Sequence, residues 1–270
     1  MAIVDIFEDV SEKAITKTET GENRIFGVVI GEVVDNYSPN LPGRVCVSVH
    51  VRDSMANVLK WARVASPYSG SGWGMYFLPE VGDQVLVVFE EGIIDRPYII
   101  GSVQKDLNSF LRKSKDWKNQ HKRIVTANGN ALEFEDVPTG EGLQDRLTLH
   151  TSESAHTLVM DNEKKKIILQ DADKKASVEM STLTGKIDIT AAEKLSIRVG
   201  ETISIDLNGT SGKITINATD VSVDSTAKLN LSAGGKTNVS GAAVKVESNG
   251  TLTMSAASVC TVEGKPIRIG

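Results

Sequence analysis

From Ile187 to its last residue, this 270-residue chain repeats one short move. Two branched apolar residues alternate with polar ones, a few small or turn-forming residues follow, and the pattern returns. The pairs are Ile187/Ile189, Leu195/Ile197, Ile203/Ile205, Ile214/Ile216, Val221/Val223, Leu229/Leu231, Val244/Val246, Leu252/Met254 and Ile267/Ile269. Most successive starts lie eight residues apart, as at 187, 195 and 203. A unit this short holds one strand and one sharp turn, so it has no core of its own and must stack on its neighbours. Alternate side chains point to opposite sides of a strand, which gives every unit one apolar face. A ribbon of such units is too narrow to close around that face.

Three copies wound about one axis would bury all three faces and pair the open strand edges. At about 25 cal/mol per Å² of apolar area, two aliphatic side chains per unit per chain make that burial a large stabilisation. The expectation is therefore a homotrimeric, intertwined β-helix. The eight pairs from Ile187/Ile189 to Leu252/Met254 are its expected core. A single-chain parallel β-helix is the competing arrangement, but it uses coils of about twenty residues, longer than the period here.

Charge and composition exclude several classes. Lys and Arg number 30 against 35 Asp and Glu, a net charge of -5 that gives no bias toward nucleic acid. No apolar run approaches the roughly eighteen residues of a membrane span. The start, MAIVDIFEDVSEKAITK, lacks the basic-then-apolar order of a secretory signal, so assembly in the cytoplasm is expected. Two cysteines, Cys46 and Cys260, make no disulfide framework; each sits in an alternating run and reads as a small buried hydrophobe.

Every aromatic residue lies at or before Phe134, and a narrow β-rod has no space for such bulk. This shift divides the chain near residues 105–128. Residues 1–23 read as an N-terminal extension, with Ile3, Phe7, Val10 and Ala14 at helical spacing. Residues 24–104 read as a small all-β barrel, with strands at Gly27–Asp35, Gly43–Val51, Lys60–Val64, Gln84–Phe89 and Tyr98–Val103. Residues 105–126 are a charged linker, part helical, and residues 127–270 are the repeat region. The latter begins irregularly at Leu132/Phe134, Leu147/Leu149, Leu158/Met160, Ile167/Leu169 and Val178/Met180.

The barrel region carries Pro42-Gly43-Arg44-Val45, Trp61-Ala62-Arg63-Val64, Gly72, Gly74, the run Pro79 to Val87, Phe89, Gly92, Asp95, Pro97 and Ile100-Gly101-Ser102. In that order these residues resemble the OB-fold domain of type VI secretion VgrG spikes, phage baseplate assembly protein V and other central spikes of contractile injection particles. The run Gly129 to Asp136 continues the likeness into the repeats. The resemblance implies an OB-fold collar attached to a baseplate hub, followed by a trimeric needle that punctures the target envelope when the sheath contracts. Such a spike belongs to a phage tail, tailocin or secretion-like particle, and makes transient contact with the target membrane.

Departures from that family matter as much. Only about twenty-three residues precede the barrel, so the hub is expected to be a separate protein. Residues 105–128 are too short for an inserted lysozyme, and no enzymatic activity is expected. Some short spikes end in a His-x-His iron site, but His50, His121, His150 and His156 all lie outside the last hundred residues, so no metal and no cofactor is expected. The ending Pro266-Ile267-Arg268-Ile269-Gly270 would leave open strand edges at the tip; the family suggests a PAAR-type tip protein there, with effectors as further cargo.

Gly70, Gly72 and Gly74 lack the strand-to-helix setting of a phosphate loop. Trp61 and Trp73 read as packing residues, because no basic stripe accompanies them for single-stranded nucleic acid. A fibre or adhesin that binds a surface sugar would need an aromatic-rich distal half. A β-helical polysaccharide-degrading enzyme would need wide coils with a cleft. The sequence has neither.

Overall fold

A computed structural model of the protein describes residues 15–17, 23–49, 58–105, 108–138 and 140–268. The helical spacing at Ile3, Phe7, Val10 and Ala14 lies outside the described residues. The chain divides into two units, Met1–Glu193 and Lys194–Gly270.

The first unit opens with a short antiparallel pair, β1 (Ile15–Lys17) and β2 (Asn23–Ile25), in which Ile15 stands opposite Ile25. Five strands then close a barrel in the order β3 (Val29–Asp35), β4 (Arg44–Val49), β5 (Val58–Val64), β9 (Pro97–Val103) and β8 (Gln84–Phe89). All neighbours are antiparallel except β5 and β9. These are the five strands that alternation in the sequence predicts, and they make an OB-like barrel. Between β5 and β8 a tight hairpin, β6 (Ser69–Gly70) with β7 (Trp73–Gly74), stands apart from the barrel ladder.

The barrel closes because one side chain in two points inward. Val45, Val47 and Val49 of β4, Val85, Val87 and Phe89 of β8, Val33, Ala62, Ile99 and Ile25 form one buried cluster. Burying each valine is worth about 1.5–3 kcal/mol over leaving it exposed. Gly31 leaves room for this packing: a β-carbon there would lie 3.2 Å from Val87 Cγ2 and 3.3 Å from the Ser48 carbonyl oxygen. Register shifts at Val33/Asp35 and at Leu86/Val87 add the local bend that a five-stranded closure needs.

After the barrel comes one helical turn, α1 (Ser109–Ser114), whose Phe110 N–H donates to the Asn108 side chain at 2.8 Å. A seven-stranded antiparallel meander follows in simple sequence order: β10 (His121–Val125), β11 (Ala131–Glu135), β12 (Arg146–His150), β13 (His156–Asp161), β14 (Lys166–Asp171), β15 (Ala176–Ser181) and β16 (Lys186–Ala191). Strand β10 falls in the stretch expected as linker. From β13 onward the strands recur every ten residues, six in the strand and four in the turn. Asp161, Asp171 and Ser181 hold the same place in this repeat. Each accepts a turn N–H on its side chain: Lys164 N–H at 2.8 Å, Lys175 N–H at 2.8 Å and Thr184 N–H at 3.3 Å. Such bonds let short polar side chains reinforce the turns between strands.

The second unit begins with a three-stranded antiparallel sheet, β17 (Lys194–Val199), β18 (Ile203–Asn208) and β19 (Lys213–Asn217). From Ala218 to Arg268 no residue belongs to a strand. Bends stand at 219, 226–227, 234–235, 242, 249–250, 257–258 and 265–266, so the backbone turns every seven or eight residues. The expected strands at Val221/Val223, Leu229/Leu231, Val244/Val246 and Leu252/Met254 lie between these bends but form no ladder within the chain. A ladder needs a neighbour, and no described segment of the same chain pairs with them.

Candidate functional site: an apolar face left open

The register of the seven-stranded sheet sorts its side chains into two chemically distinct faces. One face carries two adjoining apolar columns. Ile124, Leu132, Leu149, Leu158, Leu169, Val178 and Ile189 stand opposite one another in succession, and beside them run Phe134, Leu147, Met160, Ile167, Met180 and Ile187. Lys122 ends the second column opposite Phe134. The reverse face carries Arg123, Glu133, Thr148, Val159, Ile168, Glu179 and Asp188 in the same registers. Ion pairs tie Arg123 to Glu133 and Lys166 to Glu179 there.

The three-stranded sheet repeats the arrangement. Leu195, Leu207 and Ile214 form one column, Ile197, Ile205 and Ile216 the next, and Val199 faces Ile203. On its polar face Asp206 takes Ser196 Oγ, Lys194 Nζ at 2.9 Å and Arg198 Nη2 at 3.6 Å. The Ser196 and Lys194 hydrogen bonds, aided by the charges of Lys194 and Arg198, outweigh desolvation and hold the Asp206 carboxyl below its ordinary value.

The core residues expected from the repeat thus share a face wherever a sheet exists to define one. In the single chain that face is open: Ile187 is 59% exposed and Ile214 67%. Val221, Val223, Leu229, Leu231, Val244, Val246, Leu252 and Met254 are exposed likewise, each between two bends and in no strand. At the far end Pro266, Ile267 and Arg268 are exposed, while Ile269 and Gly270 lie outside the described residues. Cys46 is buried, and burial with the nearby Asp35 charge pushes its thiol up. Cys260, expected to be buried, is exposed in the single chain because it lies among the unpaired segments.

Between β5 and β8, Gly70 and Gly74 build the β6–β7 hairpin. A β-carbon on Gly70 would fall 2.3 Å from the Trp73 ring, and one on Gly74 would fall 2.9 Å from the Tyr68 carbonyl oxygen. Trp73 packs on Tyr68 with ring centres 4.6 Å apart, but remains half exposed beside Met75, Tyr76 and Phe77. Trp61 is half buried and stands opposite Cys46. His121 lies 4.0 Å from Asp116; His150 touches the Thr151 carbonyl oxygen through Nδ1 at 2.8 Å and Glu133 through Nε2 at 3.7 Å. Burial raises the Asp116 carboxyl, but N–H donors from Gln120, Lys118 and His121 outweigh it and hold the group below its ordinary value. No group of three or more His, Cys, Asp or Glu side chains able to hold a metal occurs among the described residues. No described helix is long and apolar enough to cross a membrane.

Sequence reasoning missed the pairing of Arg44 with Arg63 and the ion cluster at Asp206. Both depend on cross-strand register, for which spacing along the chain gives no signal.

Residues 29–103, the barrel, match the family described as the type VI secretion system/phage-baseplate injector OB domain. The chain is 30% identical over 142 residues to the type VI secretion system spike protein VgrG1a of Pseudomonas aeruginosa, a match covering 49% of this chain and 22% of that protein. It is 31% identical over 126 residues to VgrG1c of the same organism, covering 43% of this chain and 17% of the relative. A shorter match to VgrG4b, 49% identical over 43 residues, covers 16% of this chain and 5% of that protein. The matched part is thus less than a quarter of each relative's length. By these matches the barrel is an injector-type OB domain, and the chain is similar to VgrG spike proteins over half of its own length or less.

Proposed function

We propose that the chain is the structural central spike of a contractile tail or injection apparatus, and that three copies form its needle. The observation that carries this is the stretch from Ala218 to Arg268. Its backbone bends every seven or eight residues, belongs to no strand, and leaves its aliphatic side chains in water. Backbone polar groups buried away from water are almost always paired, so burying these aliphatic faces requires partners for the backbone beside them. A segment with fixed bends and no partner in its own chain takes its hydrogen bonds from other chains, and its apolar faces meet at the centre of that assembly. The open apolar face of each sheet is buried against the other copies in that assembly.

In this reading residues 24–104 are the collar, 105–126 the linker and 127–270 the needle, with 1–23 as an extension. The collar sits on a baseplate hub. Pro266 to Gly270 receive a PAAR-type tip protein, and effectors ride on the assembly. The particle is put together in the cytoplasm and works as part of a virion, an extracellular particle or a cell-anchored apparatus. The chain punctures the envelope mechanically and catalyses nothing.

Light scattering on the purified protein tests the assembly. It should give a particle of three times the 29.0 kDa chain mass. Peptidoglycan suspensions should keep their turbidity when it is added. A 29.0 kDa monomer would overturn the trimer, and clearing of the suspension would overturn the non-enzymatic role.

A further inference from the structure

Arg44 opens β4 and Arg63 stands directly opposite it near the end of β5. Directly opposed residues put their side chains on the same side of the sheet, about 5 Å apart at the β-carbon, and like charges there are destabilising. Among the described residues the ion-paired arginines are Arg96, Arg123, Arg146 and Arg198, and neither Arg44 nor Arg63 has a carboxylate partner. Arg44 Nη1 reaches only the Trp61 carbonyl oxygen, at 3.5 Å. Arg63 Nη1 donates to Tyr98 Oη at 3.3 Å, with its guanidinium 5.9 Å from the ring centre. Each guanidinium has five N–H donors in a planar fork, so most of this donor capacity is unused.

The acidic groups nearby are already engaged. Glu90 accepts from Tyr98 Oη at 3.2 Å and from Arg96 Nη1 at 3.4 Å, and Asp95 is paired with Lys60. Together these side chains line a pocket of about 350 Å³. Two unneutralised guanidinium groups on one wall favour an anion. Glu90 and Asp95, which also line the pocket, disfavour a doubly charged one. A planar, singly charged group suits the arginine fork best.

We propose that this pocket binds a carboxylate presented by another protein chain, either an Asp or Glu side chain or a chain terminus, with Arg44 and Arg63 as the clamp. The site stands whether or not the chain forms a trimer. A neighbouring copy can supply the carboxylate, since acidic residues outnumber basic ones 35 to 30; so can a different protein.

A fluorescein-labelled hexaglutamate peptide, titrated into the full-length protein at low salt and followed by anisotropy, distinguishes these sources. If a different protein supplies the group, the peptide binds and glutarate displaces it more readily than phosphate does. Arg44→Gln and Arg63→Gln then each weaken binding at least about tenfold, and Arg63→Lys has a smaller effect. If a neighbouring copy already fills the pocket, the peptide does not bind, and the double variant R44Q/R63Q comes apart at lower salt than the wild type. Variants with unchanged circular dichroism that show neither effect overturn the site. Displacement by phosphate as readily as by glutarate overturns its assignment to carboxylates.

Discussion

Asp206 gathers a hydroxyl, an ammonium and a guanidinium around one carboxylate on the polar face of β17–β19. Its folded-state pKa lies below the unfolded value, with the Ser196 and Lys194 hydrogen bonds as the main cause. The stabilisation is therefore complete above the ordinary carboxylate value of about 3.9 and is lost as pH falls through the lower folded value. Thermal melts of wild type and Asp206→Asn from roughly pH 2 to pH 7 should differ most at neutral pH and converge in acid. Parallel curves would show that the cluster is not linked to folding. Single residues were the least legible part of the sequence. Arg44 and Arg63 belong to the family-like motifs Pro42–Val45 and Trp61–Val64, yet only closure of the barrel sets them face to face. Asp161, Asp171 and Ser181 likewise gain their shared turn-setting role from the hairpins around them.

Strands were legible where alternation met a core. The five barrel strands follow from valines and isoleucines spaced by two, because the closed barrel buries one face of each. The β6–β7 hairpin escaped because two-residue strands have no period to read. Strand β10 falls in the stretch that reads as linker because its run His121-Lys122-Arg123 is polar and charged. Beyond Asn217 the period was plain but the pairing was not, since a sequence does not say which chain a strand will pair with. Register within the repeat can be tested at its centre. Ile205 stands between Ile197 and Ile216. Ile205→Asp should cost about 3–5 kcal/mol per chain in the assembled trimer and lower its resistance to heat and SDS. Unchanged resistance would place Ile205 on the outside. Cys260 follows Leu252 by eight residues and so takes an inward position in the proposed trimer. Mild copper oxidation should link two chains through this thiol, seen as a dimer on non-reducing gels and lost in Cys260→Ser. No such band, with Cys46 buried in the barrel, would put Cys260 out of register.

At the scale of the whole molecule, the chain combines parts that stabilise themselves with a part that does not. The barrel buries its own core, and both sheets satisfy their inner ladders within the chain. The segment from Ala218 to Arg268 has bends but no ladder of its own. In the proposed trimer this makes the needle an all-or-none partnership. A chain cut after Asn217 would still fold its barrel and both sheets and would still enter trimers, but it would bring no strands for its two companions to pair with. One defective copy then disables two sound ones. In a cell making both forms, the share of intact needles falls as the cube of the share of full-length chains, so a modest rate of premature termination would remove a disproportionate part of the working particles.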